Sequence, residues 1–397
     1  MKKAIGIILL VFISFNLSGQ SAVEITILAK DLIAQKKYES AYKELDKADP
    51  FNKIPDIVLL KEELLLNYYI TTNMHLQFGL KDLDIKENIY ELRKTKGEYK
   101  PYQFNAEKIF NDLILANPEN CMLYKGLADY YFQGSQLFKS SWIKSGDELK
   151  KLLETNYKNA IDKSCGDYNS YLYMGINAYD KKDYRMSTSY LFQSIDLNND
   201  QADAHFYIAD AFLRLHENDL ALKYYKYSLE LFKDSLKESA IADSIGNIYR
   251  NANSADSAIY YYEISNSKNP GQLYNLVALL DLYQKTNNKK YDKVARDIFD
   301  INPLELTNYF IIESTYYSNL KEIELIEFYK QQLVRFKSNN KVKVLINLSL
   351  GKMYLGRDSK LAKQYFLTAQ ELCKKEYTAD SPTMRIIQSG IEKSEMK

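Results

Sequence analysis

The most constraining feature of this chain is a pattern that returns along it. Tyr171, Met174, Gly175 and Ala178 are followed by Tyr184, Ser187, Leu191 and Ser194. Thirty-four residues on, His205, Ile208, Ala209 and Phe212 precede Ala221, Tyr225 and Ser228. After a three-residue insertion, Ala242, Ile245, Gly246 and Tyr249 precede Ala258, Tyr262, Ser265 and Pro270. Spacings of three and four place each group on one face of a helix. The small residues let two helices approach, and the large ones fill the space around the contact. Such a unit is a helical hairpin that cannot bury its apolar face alone, so successive units must stack. Composition agrees. The chain has 14 Gly and 7 Pro in 397 residues, about half and a third of the usual shares. Hairpin-rich β folds and Gly-rich nucleotide-binding folds are thereby excluded.

The pattern resembles the tetratricopeptide repeat, W-x2-L-G-x2-Y, then A-x3-F, then P, over 34 residues. The resemblance covers most of the chain. Lys37-Tyr38-Glu39-Ser40-Ala41, with Leu45 and Ala48, reads as a second helix before Asp49-Pro50. Ala106, Phe110 and Leu113 lead to Asn117-Pro118, after which Tyr124, Leu127, Ala128 and Tyr131 open a repeat closed by Tyr157, Ala160 and Ser164. That repeat is enlarged, with the excess around Phe138 to Glu148 and the sole tryptophan, Trp142, inside it. Tyr274, Val277 and Ala278 pair with Ala295 and Phe299 before Asn302-Pro303, and residues 306–339 match more weakly. Leu350, Gly351 and Tyr354, with Ala362, Phe366 and Ala369, form a last good unit.

The expected fold is therefore all-α, an α-solenoid of stacked antiparallel helix pairs with an enlarged, irregular N-terminal portion. Its parts are a signal peptide at 1–19, irregular repeat-like helices at 20–118, the enlarged repeat at 119–167, a regular array at 168–303, and C-terminal repeats with a capping helix at 304–397. The region from Ile57 to Gln103 fits least. Ile57 to Thr72 reads as one long helix, Leu80 to Lys94 as another and Gly97 to Pro101 as a loop. Tyr131, Tyr225, Tyr249 and Tyr262 fall on packing positions, whereas Tyr224 and Tyr260 are candidates for exposed faces.

Met1-Lys2-Lys3 followed by an apolar run to Phe15 and small or polar residues to Ser21 has the form of a secretory signal peptide, with cleavage expected near Gly19. The run is shorter than the roughly 20 residues that span a bilayer, and no later segment reads as a membrane span. Lys+Arg is 53 against Asp+Glu 52. Nucleic-acid binding needs a clustered cationic surface, so nucleic acid is not expected as a partner.

Motifs for catalysis and for cofactors are missing from the sequence, and the chain reads as a non-enzyme without cofactor or metal. There is no HExxH, CxxC, G-x-S-x-G, P-loop or G-x-G-x-x-G. Of three histidines, His205 reads as core, His216 as a solvated turn, and His75 stands alone. Carboxylate pairs such as Glu62-Glu63 and Asp82/Asp84 read as solvated helix faces. Cys121 begins the first helix of the enlarged repeat and Cys165 ends its second. These ends are adjacent in an antiparallel hairpin, which makes a disulfide possible; the alternative is two ordinary helix-end thiols. Cys373 reads as a buried free thiol.

In the resembled family, first-helix positions 2, 5, 9, 12 and 13 form the concave face that holds a protein or peptide. That implies Met122, Lys125, Asp129, Phe132 and Gln133; then Asn169, Leu172, Ile176, Tyr179 and Asp180; then Asp203, Phe206, Asp210, Leu213 and Arg214; then Ala240, Asp243, Asn247, Arg250 and Asn251. Aromatic and Arg anchors among isolated charges suit protein recognition. The carboxylate clamp of some members is not matched, because Asp129 follows Lys125 by one turn. The expected function is a protein-interaction scaffold of the bacterial periplasm or envelope. The alternative is a helical-repeat solute- or glycan-binding protein of an uptake system.

Overall fold

A computed structural model describes residues 22–95, 97–138 and 144–396. The signal peptide expected at 1–19 and Trp142 lie outside the described residues. The chain divides into two compact units, to Glu217 and from Asn218.

The first unit comprises residues 22–34 (α1), Tyr38–Ala48 (α2), Pro55–Tyr68 (α3), Thr71–Asn73 (β1), Gln77–Gly79 (β2), Ile89–Leu92 (α4), Pro101–Gln103 (β3), Ala106–Ala116 (α5), Cys121–Phe138 (α6), Gly146–Asp162 (α7), Tyr168–Asp180 (α8), Tyr184–Leu197 (α9) and Ala202–Arg214 (α10). The second comprises Asn218–Leu231 (α11), Ser235–Asn251 (α12), Ala255–Lys268 (α13), Leu273–Lys285 (α14), Tyr291–Ile301 (α15), Leu306–Ser318 (α16), Glu322–Arg335 (α17), Asn340–Tyr354 (α18), Ser359–Glu376 (α19) and Pro382–Glu395 (α20). The architecture is the expected all-α solenoid of helix pairs. α8 and α10 begin 34 residues apart, as do α9 and α11, so the sequence period is the structural period.

Local chemistry sets the helix ends. Asp167 and Ser170 form a capping box at the start of α8, and Asp183 accepts from Met186 N at the start of α9. Turns within and between the hairpins reuse one device. Lys36, Ser164, Lys182, His216, Asn253, Asn287 and Leu320 all have φ between 53° and 66°. The next residue's N–H reaches back to close the helix, as in Asp183 N to Ala178 O (2.9 Å), Ser254 N to Tyr249 O (2.9 Å) and Lys321 N to Tyr316 O (2.9 Å). These are Schellman closures, usually made by glycine. A chain short of glycine makes them with other residues.

The small-to-large contacts form the core as expected. Ala209, Ala221, Tyr225, Ala258 and Tyr262 are fully buried. His205 is core, its Nε2 2.9 Å from Asn199 O, and His216 is exposed in its turn. Tyr249 differs from expectation. It is half-buried, its ring stacked on Tyr261 of the paired helix at 5.7 Å. Tyr260 is exposed and Tyr224 half-buried. The enlarged repeat is long because its helices are long: α6 and α7 have 18 and 17 residues against 13 and 14 for α8 and α9.

The region from Ile57 to Gln103 is where expectation fails. α3 stops at Tyr68, and Thr71–Thr72 enter a strand. β1, β2 and β3 form a small antiparallel sheet with β2 in the middle, pairing Thr72 with Phe78 and Phe78 with Tyr102. Leu80 to Lys94 is not a helix; only Ile89–Leu92 is helical. Asp82 ties this segment to α2 by accepting from Ser40 N (3.0 Å) and Ser40 Oγ (2.6 Å), so it is not a solvated helix-face carboxylate. His75 sits in the β1–β2 turn beside Met74, both at positive φ, and is fully buried. Its ring packs against Phe78 (5.5 Å), Tyr130 (5.8 Å) and Phe138 (5.1 Å), and burial pushes its pKa down to about 4.

Candidate functional site

α6 is an 18-residue helix whose buried stripe, Leu123, Leu127 and Tyr131, packs inward. Its other face carries Met122, Lys125, Asp129, Phe132 and Gln133, and all five line one cleft of about 680 Å³. Asn169 of α8 extends this wall. The opposite wall is α3, with Leu59, Glu62, Glu63, Leu66 and Asn67, and α1 adds Thr26 and Lys30 at the rim. Gln133 Nε2 donates to Leu66 O across the cleft. Phe132 and Met122 keep 42% and 43% of their surface exposed, which leaves apolar area in the cleft for a ligand.

Lys125 holds the charge network of the α6 wall. Its Nζ lies 2.6 Å from Asp129 Oδ2 and 3.0 Å from Asp167 Oδ2. Burial works against its charge, but the two carboxylates overcome that and hold its pKa above the ordinary lysine value. Asp129 is enclosed further. Burial pushes its carboxyl up despite Lys125 and a 3.0 Å hydrogen bond from Tyr157 Oη. On the facing wall Glu62 is 4% exposed, which overturns the solvated-face expectation for the Glu62-Glu63 pair; Glu63 alone is exposed. Burial, and then the negative charge of Asp129, push the Glu62 carboxyl well above the usual carboxylate range.

The other expected site residues are dispersed. Ile176 shares a smaller groove of about 330 Å³ with Phe132 and Tyr173. Tyr179 donates to Asp210, whose Oδ2 is 3.6 Å from Arg214 Nε, forming a second network on α8 and α10. Leu172 and Phe206 are half-buried. Asn247 and Arg250 belong to the second unit. There Asn247 Oδ1 accepts from Tyr262 (2.8 Å) and Tyr274 (2.5 Å), and Arg250 lies 3.8 Å from Asp281. They are not part of the cleft. The α3 wall was missed by the repeat pattern because α3 belongs to the irregular region.

Cys121 and Cys165 are joined in a disulfide with their Cα atoms 5.6 Å apart, tying the start of α6 to the residues after α7. Cys373 is buried and free. Among the described residues no group of three or more His, Cys, Asp or Glu could hold a metal, and no helix is long and apolar enough to cross a membrane.

No protein-family model and no curated protein matches the chain. Solved structures do. The chain is similar to YrrB, described as a TPR protein with an unusual peptide-binding site, at 17% identity over 51% of this chain and 96% of that one, with a TM-score of 0.40. It is similar to a tetratricopeptide repeat protein from Parabacteroides merdae at 13% identity over 68% and 98%, TM-score 0.38. It is also similar to the C-terminal part of a TPR repeat-containing protein from Cytophaga hutchinsonii at 12% identity over 72% and 95%, TM-score 0.37.

Proposed function

We propose that the chain is a non-enzymatic interaction scaffold of the bacterial periplasm or envelope, and that its first unit holds a segment of a partner polypeptide in the cleft between α3 and α6. The observation that carries this reading is the cleft itself. Five α6 positions chosen from the repeat pattern open onto one cavity, with Met122 and Phe132 exposed as apolar anchors beside an ordered charge network. A preformed cleft with few, well-placed polar groups is the usual form of a binding site. The leader-like residues at 1–19 support export. So does the Cys121–Cys165 bridge, because disulfides persist in oxidising compartments.

Selection of a randomised peptide library on the purified protein tests the binding reading. Enriched peptides are expected to bind at least tenfold more weakly to Phe132→Ala and Met122→Ala. Binding unaffected by both changes, or stabilisation by sugars and never by peptides, overturns it. Cell fractionation with N-terminal sequencing tests the location. A mature chain beginning near Gln20 in the periplasmic or envelope fraction is expected, and an uncleaved cytoplasmic chain refutes it.

A further inference from the structure

Two adjacent residues of α3 are buried charges with opposite fortunes. Lys61 is fully buried, and its Nζ is held by Asp46 Oδ1 (2.9 Å), Asp49 O (2.8 Å) and Asn52 Oδ1 (2.8 Å). It is a complete site on the α2 side of the helix. Glu62, one residue on and about 100° around the helix, faces the cleft. Among the described residues nothing donates a hydrogen bond to its buried Oε1. A buried carboxylate is strongly disfavoured unless it is neutral or paired.

The charge of Lys125 reaches Glu62, but its ammonium makes its ion pairs elsewhere. Lys125 is engaged by Asp129 and Asp167, and Lys30 stands exposed at the rim. Four carboxylates line the cleft, Asp56, Glu62, Glu63 and Asp129, against those two ammonium groups. The field therefore favours an incoming cation and repels an incoming carboxylate. Room beside Glu62 is kept by Gly126, where a Cβ would come 2.6 Å from Glu62 Oε2 and 2.8 Å from Phe110. Gly126 is not the repeat's small position, which is Ala128, and glycine is disfavoured inside a helix. Apolar Leu59, Leu66 and Met122 flank the approach and suit the aliphatic stem of a long basic side chain.

We propose that the cleft takes a basic side chain of the bound polypeptide, lysine or arginine, with the Glu62 carboxylate as the buried counter-charge to its ammonium or guanidinium head. This rests on the polypeptide-binding reading of the cleft. On entry the head supplies the donor that Glu62 Oε1 lacks and favours the ionised form that burial disfavours.

The test is a randomised peptide library selected in parallel on the wild type and on Glu62→Gln. The wild type is expected to enrich lysine or arginine at one position. Replacing that residue by Nε-acetyl-lysine is expected to weaken binding at least tenfold, and Glu62→Gln to lose the preference while still binding peptides. Lysine and arginine versions of one peptide distinguish the two heads. Peptides enriched without a basic residue, or bound equally after acetylation, overturn the counter-charge while leaving the groove reading intact. No enrichment on either protein removes both. Displacement of the peptide by spermidine alone, at equal affinity, assigns the site to free polyamines and overturns the polypeptide source. Should Glu62→Gln fail to fold, calorimetry of the wild type in buffers of different ionisation heat decides. Proton release is expected with the basic peptide and not with its acetylated form, and equal heats overturn the proposal.

Discussion

Gly175 and Leu191 show how little space separates paired helices. A Cβ on Gly175 would come 2.5 Å from Leu191 Cγ, and Leu191 is fully buried. At the same place in the next repeat the chain has Ala209, also fully buried and tolerated because its neighbours differ. Gly175→Ala is therefore expected to destabilise the first unit by about 1–3 kcal/mol through overpacking, read as a lower urea midpoint in chemical denaturation. An unchanged midpoint would show that Leu191 can shift freely. This contact was legible in the sequence, because small and large residues recur at fixed offsets. Glu62 was not. A single acid on a helix carries no mark of burial until the identity of the helix facing it is known, and α6 meets α3 across an irregular insertion.

Within the hairpins, the recurrent Schellman closures make a definite demand on one residue each. Leu320 ends α16 at φ 57° and is 93% exposed. The left-handed conformation costs a non-glycine residue about 1–2 kcal/mol, and Leu320 has no burial to offset that. Leu320→Gly is expected to stabilise the chain by about 0.5–1 kcal/mol after the added freedom of the unfolded chain is counted. That corresponds to a melting temperature higher by about 1–3 °C; a lower one refutes the argument. The Cys121–Cys165 bridge acts on the unfolded chain instead. It closes a separation of 44 residues, for which the chain-entropy relation gives about 4 kcal/mol. Replacing both cysteines with alanine is expected to lower the urea midpoint and to abolish its sensitivity to reductant; a wild-type midpoint indifferent to reductant would mean the bridge is not formed. The helices were legible from their period, but the three-stranded sheet was not. Its strands have three residues each, too short for alternation to register. Its tight turn uses Met74 and His75 at positive φ, where the usual signal is Asn or Gly.

For the whole molecule, a formal net charge of +1 means that general charge repulsion does not dominate stability near neutrality. A few buried groups shape the pH dependence instead. His75 titrates at about 4 in the native chain because burial disfavours its charged form, against about 6.5 when unfolded. Between those values the unfolded chain binds the proton that the native one refuses, so this contribution falls as pH drops from 6.5 toward 4. Glu62 has the opposite sign. Its native pKa is raised by burial, so above about 4.5 the unfolded chain ionises first, and stability falls as pH rises toward the native value. Acidification from pH 7 thus removes stability through His75 and restores it through Glu62. Urea unfolding from pH 4 to 8, followed by far-UV circular dichroism, separates the two. His75→Phe is expected to be less sensitive to acid than the wild type below pH 6.5, whatever its absolute stability. Glu62→Gln is expected to gain on the wild type as pH rises from 4.5. A His75→Phe curve parallel to the wild type would mean that the imidazole titrates normally in the native chain. A constant offset for Glu62→Gln would mean that its carboxyl ionises in the native chain as it does in the unfolded one, and the raised carboxyl on the cleft wall would have to be given up.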